Sequence, residues 1–388
     1  MQNKFYKAPF LNGKFVVLIC ILLFLLGIIG MIMRFIYGHL PAGYGSFIPW
    51  GLWVAIYFHG VGIAGGAFFI GVWLYLFDFP LFREVRFLRV LIVLGVAAIL
   101  PSFMAVGLDL GHMERAYKIF FSPSFTSMMT FNAWMYTSFV ILAGIAWYLS
   151  YKKESGWLKP VLILTSLISI AFPSQSGAFF GVVEAKPFWH SALLPVLFLT
   201  SALVSGSAVL LIIGNWFVSN HMEIESDYDK FEKTIRFILL GVMTLYFVFE
   251  WAEFSISIWN PEIENEAVKL ILFGPYAWMF WGVHLIIGGI IPYIMLLSSS
   301  KKAYLWAALL VVISFISTRL NILLPGQSVG ELKGLQEAFF HNRLTYIYHP
   351  TIMEYLVACM IVFAGIFIFY VGNKINSLTE NYLGGNKR

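Results

Sequence analysis

The sequence predicts an all-α integral membrane protein with about ten transmembrane helices. Two features of composition predict this class: 60% of the 388 residues are hydrophobic and only 12% are charged. These values lie well outside the averages for soluble globular domains. The third observation is that apolar runs of about 18 or more residues, each long enough to cross a hydrocarbon core of about 30 Å, recur along the chain.

The ten apolar segments leave no room for a separate soluble domain, so residues 1–388 are expected to form a single membrane domain. The first segment resembles a signal peptide, but its apolar stretch from Phe15 to Met33 is too long and no small-residue cleavage site follows. We therefore expect a retained helix. In chain order the segments are 15–37, 50–77, 87–108, 131–150, 158–176, 190–218, 235–259, 274–298, 303–324 and 351–372.

Segments 2 and 6 share a similar spacing between a proline and a group of small residues, which suggests an internal duplication. Pro49 precedes "GGA" at 65–67, and Pro187 precedes "SGS" at 205–207 at a similar distance. Small-residue motifs are common in membrane helices, which leaves coincidence as the alternative. A duplication predicts two four-helix bundles, helices 2–5 and helices 6–9, flanked by helices 1 and 10. Their expected ranges are 50–176 and 190–324.

The distribution of basic residues predicts the orientation of the chain. Seventeen Lys and Arg residues fall in the terminal segments and loops of one side, and seven fall on the other side. The positive-inside rule therefore predicts that both termini are cytoplasmic. Because these charges flank the membrane segments, the net charge of +5 indicates contact with membrane lipid and no nucleic acid partner.

The two cysteines exclude a cysteine-ligated cluster in this chain. Cys20 and Cys359 lie singly in the first and last segments, too few for an iron–sulfur cluster or a cysteine-rich metal site. We therefore expect no metal site here, and any cluster would belong to a partner subunit.

Ionisable residues within the apolar segments are concentrated in the half that is predicted to face outward. Insertion of a charged side chain into a membrane helix costs about 2.5 kcal/mol or more in free energy, so each such residue needs a structural or functional explanation. His59 and His284 lie at similar depths, about 15 Å from the outer ends of their helices by the helical rise. The cytoplasmic halves are nearly empty of such groups, which favours a site open to the outer half. The remaining members of this set are Glu250, Glu253, Arg319 and Glu354.

His59 lies on a stripe of small residues that is expected to face another helix. Ala55, His59, Gly62 and Gly66 recur at helical spacing along one face of the second segment. His59 is then either a ligand-binding residue or a satisfied interhelical histidine. Trp53 and Tyr57 lie close to it in the sequence and are further candidates for contact with a ligand.

Two more features have both a functional and a structural interpretation. Glu250, Glu253, His284, Arg319 and Glu354 are expected to form either a proton-exchanging cluster or a static ion-pair network. Asp109 is either a site residue at the outer end of the third segment or the N-cap of a following surface helix.

Several strings in register resemble the polysulfide reductase NrfD family, integral membrane subunits of bacterial respiratory enzymes. The length of ten helices is closest to the branch that contains the hydrogenase subunit HybB. Individually the strings are degenerate, but together they cover most of the chain in order. They are "PWGLWVAIYFHGVGIAGG" (49–66), "LDLGHMERAYKIFFSPSFTSMMTFNAW" (108–134), "FWHSALLPVLFLTSALVSGSAV" (188–209), "FWGVHLIIGGIIP" (280–292), and "RLNILLPG" followed by "YHPTIMEYLV".

The resemblance implies a subunit of the bacterial inner membrane that binds a quinone, menaquinone or ubiquinone, near the periplasmic face. Such subunits carry no haem or metal, and they exchange electrons with an attached iron–sulfur subunit. That iron–sulfur subunit is coupled in turn to a molybdopterin or nickel–iron catalytic subunit. The resemblance also allows turnover to be linked to proton translocation. This chain would accordingly not be catalytic alone.

The same resemblance assigns the quinone site to the outer end of helices 2 and 3. His59 and Asp109 are the matching ionisable residues, and we expect Asp109 either to orient His59 or to exchange its proton. Many relatives have Arg directly after a Leu-Gly pair, where this chain has His112 with Arg115 three residues on. These two residues therefore join the candidates for quinone binding.

Two other function classes fit the same residues. Eight histidines and the equal depth of His59 and His284 suggest a haem-bearing membrane anchor of the cytochrome b type. The charges in helices 7 to 10 suggest an ion or solute transporter.

Overall fold

A computed structural model describes residues 13–152, 156–221, 225–259, 264–332, 334–339, 341 and 344–385. In these ranges the chain forms helices and loops without any strand, and ten helices are long and apolar enough to cross a membrane. The predicted class, an all-α integral membrane protein, is confirmed. The membrane helices are α1 (Gly13–Tyr37), α2 (Leu52–Leu76), α3 (Val85–Asp109), α4 (Met128–Leu149), α5 (Leu158–Gly181), α6 (Leu194–Asn220), α7 (Glu225–Trp259), α8 (Met279–Leu297), α9 (Lys301–Ser328) and α10 (Ile352–Gly385).

Helices α2 and α6 form the centre of the described structure. Within the most apolar part of each, 72% of the residues are buried, compared with 11% in α1. Helix α2 packs against α3, α5 and α6, and α6 also packs against α7 and α9. Helix α1 lies at the edge against α10, which packs on α3. The division into two four-helix bundles stays a prediction.

The two small-residue motifs pack directly against each other where α2 meets α6. A Cβ atom on Gly66 would overlap the carbonyl oxygen of Ala202, and one on Gly206 would overlap the Ala67 nitrogen. Gly62, on the same stripe, also faces Ala202. The expectation that this stripe faces a helix therefore holds, and the missing side chains allow two backbones to touch.

Helices α8 and α9 are irregular near buried polar residues. Helix α8 is π-helical over Met279–Ile290 and becomes α-helical over Ile291–Leu297. Helix α9 bends at Phe315, between Lys301–Ser314 and Ile316–Ser328. The π-helical part contains His284 and the second half of α9 contains Arg319. Such irregular turns are frequent at functional sites.

The start of α2 is attached to the far end of the chain. The Trp50 amide donates to Gln327 Oε1 at 3.0 Å, and Gln327 Nε2 donates back to the Trp50 carbonyl at 3.1 Å. The Leu52 amide donates to the Tyr348 hydroxyl at 2.8 Å. Loops 38–51, 110–127 and 182–193 and the described residues between α9 and α10 share this end of the helix array, which we call the predicted outer face.

Seven of the basic residues used to predict the orientation lie outside the described residues. They are Lys4, Lys7, Lys153, Lys333, Arg343, Lys387 and Arg388.

Candidate functional site

A cavity of about 110 Å³ lies between α2, α3, α4 and α5 near the predicted outer face. Most of its wall is apolar, and three polar side chains interrupt that wall: Tyr57, Asp109 and Asn132. A mostly apolar cavity with a few polar groups is typical of sites for small organic ligands. The apolar wall includes Trp50, Val54, Phe58, Val106, Met129 and Phe179.

Two of these polar side chains have a buried oxygen atom without a partner. Asp109 Oδ1 and Asn132 Oδ1 are shielded from solvent and form no hydrogen bond within the described part of the chain. Leaving a buried polar atom unpaired costs about 1–3 kcal/mol. The two atoms therefore point to a ligand or to water in the cavity.

The backbone around Asp109 is fixed by a cation from α1. Arg34 Nε donates to the Leu108 carbonyl at 2.9 Å and Arg34 Nη2 donates to the Leu110 carbonyl at 3.0 Å. His39 Nε2 also donates to the Leu108 carbonyl, at 3.2 Å. A cation at the C-terminal end of a helix complements the helix dipole. The guanidinium thus stabilises the end of α3 and leaves the Asp109 carboxylate available.

Asp109 also faces a second cavity, of about 350 Å³, which we call the vestibule. Its wall is formed by the loop between α1 and α2 together with Asp109, and it includes His39, Tyr44 and Ser46. The Tyr44 hydroxyl is buried without a partner in the described structure. Burial lowers the pKa of His39, so its imidazole is mostly neutral at pH 7. Asp109 therefore stands in a wall shared by the apolar cavity and a more polar space.

Tyr57 begins a chain of hydroxyl groups that leads away from the cavity. Its hydroxyl lies 3.0 Å from that of Tyr136 on α4, which lies 2.8 Å from Ser176 Oγ on α5. Ser176 Oγ donates to the Phe172 carbonyl at 2.8 Å. This chain fixes the position of the Tyr57 hydroxyl.

Tyr57 and Asp109, both expected from the sequence, thus meet in one cavity, whereas four other candidates lie elsewhere. His59 Nε2 donates to the Val312 carbonyl on α9 at 2.8 Å. Trp53 is fully buried, and its indole N–H donates to the Glu354 carbonyl at 3.0 Å. His112 and Arg115 are exposed in the loop after α3, where both contact the carboxylate of Glu114.

The structure excludes one of the two interpretations of Asp109. It is the last residue of α3, and the helical turn Met113–Arg115 begins only after His112. Asp109 is therefore not the N-cap of that turn. Asn132 was not expected from the sequence, although a lone amide in the apolar string "FNAWMY" of α4 could have identified it.

Glu250 and His284 form a buried pair in the second half of the chain. His284 Nε2 lies 2.9 Å from Glu250 Oε2, and the Tyr246 hydroxyl donates to Glu250 Oε1 at 2.7 Å. His284 is fully buried, and its Nδ1 has no partner in the described structure. Glu253, one turn further on, accepts a hydrogen bond from Ser191 at 2.8 Å.

Arg319 and Glu354, the other members of the expected cluster, have different surroundings. The Arg319 guanidinium lies 4.1 Å from the centre of the Phe198 ring, and within the described residues it forms no ion pair. Glu354 is fully buried and accepts hydrogen bonds from the Tyr348 hydroxyl, the Gly43 amide, and the amide and hydroxyl of Thr351. The five residues therefore do not form one continuous ion-pair network.

The two histidines considered for haem both use Nε2 in hydrogen bonds to protein oxygens. The partners are the Val312 carbonyl for His59 and Glu250 for His284. The absence of haem stays a prediction, which an absorption spectrum of the purified protein tests.

The sequence is similar to subunits of two oxidoreductases and to a protein named NrfD. A selenate reductase subunit of Mesobacillus selenatarsenatis is 25% identical over 374 residues, which cover 85% of this chain and 86% of that protein. The Hdr-like menaquinol oxidoreductase integral membrane subunit of Archaeoglobus fulgidus is 25% identical over 350 residues, which cover 87% and 86%. Protein NrfD of Escherichia coli is 23% identical over 310 residues, which cover 72% of this chain and 95% of that protein.

A family model adds a match over most of the chain. The model of polysulphide reductase, NrfD, covers residues 41–330, which include every helix that contributes to the cavity. The chain therefore belongs to the polysulphide reductase NrfD family.

Proposed function

We propose that this chain is the quinone-reactive membrane subunit of a respiratory oxidoreductase complex, with its site in the cavity between α2, α3, α4 and α5. The observation that carries the proposal is the position of Asp109, a carboxylate in the wall between an apolar cavity and the vestibule. The names of two relatives, a selenate reductase subunit and a menaquinol oxidoreductase subunit, agree with this class.

The cavity has the three features that quinone chemistry needs. Its apolar wall suits a quinone ring, and Tyr57, Asp109 and Asn132 offer polar atoms to the two ring oxygens. Conversion between quinone and quinol moves two protons together with two electrons, so a group that exchanges protons is required. Asp109 performs this exchange with water in the vestibule, beside His39 and Ser46.

We place the docking site of the electron-transfer partner on the predicted outer face. An iron–sulfur subunit has to approach the predicted outer face, because the cavity lies beside the ends of α2 and α3 at that face. A molybdopterin or nickel–iron subunit then completes the complex. We assign this face to the periplasmic side of a bacterial inner membrane, with both termini in the cytoplasm.

The buried polar groups of the second half support the site indirectly. Glu250 and His284 form a hydrogen-bonded pair suited to proton movement, with Glu253 one turn away. Arg319 lies beside the His59 stripe, where its guanidinium is near Gly62. Glu354 stabilises the loop that forms the vestibule wall, because its carboxylate accepts a hydrogen bond from the Gly43 amide.

A pair of matched substitutions on α3 tests the location of the site. Val106 lines the cavity, whereas Val96 lines an apolar groove between α3, α4 and α10. Both valines are half-buried. We expect Val106→Phe to fill the cavity and to weaken binding of a short-tailed menaquinone analogue to the purified complex at least tenfold, with a matching loss of quinone-linked turnover.

Val96→Phe serves as the control and is expected to retain wild-type affinity. Equal affinity of the Val106→Phe and Val96→Phe complexes, with both complexes intact, would place the quinone elsewhere.

A further inference from the structure

An apolar groove of about 310 Å³ lies between α4 and α10. Helix α3 packs against both helices and forms its floor. Each of the three helices contributes three residues to the groove, and all nine are aliphatic residues, glycine or tryptophan. The indole nitrogen of Trp147, the one polar side-chain atom among them, donates to Asn376 Oδ1 at 2.7 Å. The side chains of the groove therefore offer a surface for hydrocarbon.

Two glycines explain why the groove exists. A Cβ atom on Gly372 of α10 would lie 2.6 Å from Val93 Cγ1, so α10 packs directly on α3. A Cβ atom on Gly144 of α4 would meet no atom within 4 Å, so the space in front of α4 stays open. An unfilled gap loses the dispersion contacts that close packing provides. In a membrane, lipid hydrocarbon fills such a gap and restores these contacts.

Hydrogen bonds close the groove at the end that faces away from the predicted outer face. The Tyr151 hydroxyl, just after α4, donates to Asn376 Oδ1 of α10 at 3.1 Å. Arg89 of α3 donates to the Ser150 carbonyl at 2.8 Å and to Glu380 Oε1 at 2.5 Å. These bonds hold the ends of α3, α4 and α10 together beside the groove.

Three cations, one from each side of the groove and one from its floor, lie at this closed end. Arg89 belongs to the floor helix and pairs with Glu380. Lys152 is exposed after the end of α4, and Lys374 is exposed on α10 directly before the groove residue Ile375. Within the described residues neither lysine forms an ion pair. We call Arg89, Lys152 and Lys374 the basic end of the groove.

An apolar groove that leads to a cluster of cations matches the two parts of a phospholipid. Lysine side chains extend along apolar surface and place their ammonium groups at the level of the lipid head groups. Basic sites between membrane helices are typical binding sites for acidic lipid head groups. We propose that the groove binds one anionic phospholipid, with an acyl chain between α4 and α10 and the phosphate group at the basic end.

This lipid site is separate from the proposed quinone cavity. Val96 lines the groove and Val106 lines the cavity, and ten residues of α3 place them about 15 Å apart by the helical rise. The bound acyl chain packs against α3, α4 and α10 together and thereby stabilises their arrangement.

Titration of the full-length protein with two lipids tests the proposal. The purified, delipidated protein in detergent is titrated with dioleoyl phosphatidylglycerol, which is anionic, and with dioleoyl phosphatidylcholine, which has the same acyl chains and no net charge. Native mass spectrometry measures the dissociation constant of the first bound lipid. We expect phosphatidylglycerol to bind about tenfold more tightly, because phosphatidylcholine brings a cation of its own to the two lysines.

A substitution in the groove tests where the lipid lies. Gly144→Leu places a side chain in the open space in front of α4, and we expect it to weaken the binding of phosphatidylglycerol about tenfold. Gly241→Leu is the matched control, because a Cβ atom at this glycine of α7 also meets nothing within 4 Å and the residue lies outside the groove. An unchanged melting temperature of the delipidated variants shows that both are folded.

A pair of surface substitutions tests the basic end. We expect Lys152→Gln combined with Lys374→Gln to reduce the preference for phosphatidylglycerol over phosphatidylcholine about fivefold. Lys230→Gln combined with Lys233→Gln removes the same charge from exposed positions at the start of α7 and should leave the preference unchanged.

Three results would overturn the proposal. Equal affinity of the wild-type protein for the two lipids would refute the anionic preference. Wild-type affinity of folded Gly144→Leu protein for phosphatidylglycerol would exclude the groove as the site. An unchanged preference in the variant that lacks Lys152 and Lys374 would exclude the basic end as the site of the phosphate group.

Discussion

Asp109 combines a fixed backbone with a free carboxylate. Three hydrogen bonds from Arg34 and His39 hold the carbonyls of Leu108 and Leu110, whereas Oδ1 of Asp109 has no partner in the described structure. A group held in place but left unpaired is positioned for exchange with a ligand. Proton transfer by such a positioned group typically contributes a factor of about 10²–10⁴ to a rate.

Replacement of Asp109 by asparagine separates binding from proton transfer. Asp109→Asn keeps the shape of the side chain but removes its ability to take up a proton. We expect quinone-linked turnover of the assembled complex to fall about a hundredfold or more, with a smaller change in quinone affinity. Glu114→Gln, in the exposed loop five residues further on, is the control and should retain full turnover. Turnover of Asp109→Asn close to wild type would show that another group accepts the proton.

The sequence offered Asp109, Tyr57 and His59 as candidates for a quinone site but could not separate Tyr57 from His59. Two positions apart on a helix, they point about 200° away from each other. Tyr57 therefore faces the cavity and His59 faces α9. Both sides of α2 are apolar with small residues, so the pattern alone does not reveal which neighbour each side meets. That information comes from tertiary packing.

At the scale of elements, the hydropathy of the sequence located all ten membrane helices. It indicated only the apolar part of each helix, however, and not where the helix begins or ends. The seventh segment was expected at 235–259, whereas α7 begins at Glu225. The additional turns are amphipathic: Tyr228 and Phe231 are buried, and Asp229 on another side pairs with Lys301. Helical turns outside the apolar run that are stabilised by packing are not detected by a hydropathy window.

The contact between α2 and α6 leads to a prediction about stability. Gly66→Ala would place a methyl group on top of the Ala202 carbonyl oxygen, so the two helices must separate. We expect a loss of about 1–3 kcal/mol in the free energy of unfolding, the usual cost of overpacking. The measurement is thermal unfolding of the purified protein in detergent.

Gly144 offers a matched glycine in a membrane helix. A Cβ atom there meets nothing within 4 Å, so Gly144→Ala is expected to be neutral or slightly stabilising. Equal effects of the Gly66→Ala and Gly144→Ala substitutions would contradict the close approach of α2 and α6.

For the whole molecule, most of the loop lysines and arginines lie on the face opposite the predicted outer face, and ion pairs join the elements there. Arg83 pairs with Asp227 at 2.8 Å and Lys301 pairs with Asp229 at 2.5 Å, which joins the loop after α2 to the starts of α7 and α9. The positive-inside rule predicts that this face is cytoplasmic. The membrane class was predictable because composition alone determines it, whereas orientation depends on the charge of the loops.

Labelling of introduced cysteines tests this orientation. Ser124 and Ser299 are both exposed, the first in the loop between α3 and α4 and the second between α8 and α9. We expect a membrane-impermeant maleimide to label Ser124→Cys in intact spheroplasts, and Ser299→Cys only after lysis. The reverse pattern would invert the molecule and move the proposed site to the cytoplasmic side. The native Cys20 and Cys359 lie within α1 and α10, and a cysteine-free background removes their contribution.

The attachment of the α2 start to distant residues has a consequence for biosynthesis. Gly43, Trp50 and Leu52 are fastened by Glu354, Gln327 and Tyr348, which are 311, 277 and 296 residues further along the chain. Gln327 lies near the end of α9, and Tyr348 and Glu354 follow that helix, so all three anchors are made only after eight membrane helices are complete. The start of α2 can therefore be fastened only late in translation. A nascent chain, or one truncated before Gln327, lacks all three anchors, so the start of α2 and the loop before it are not yet held in place.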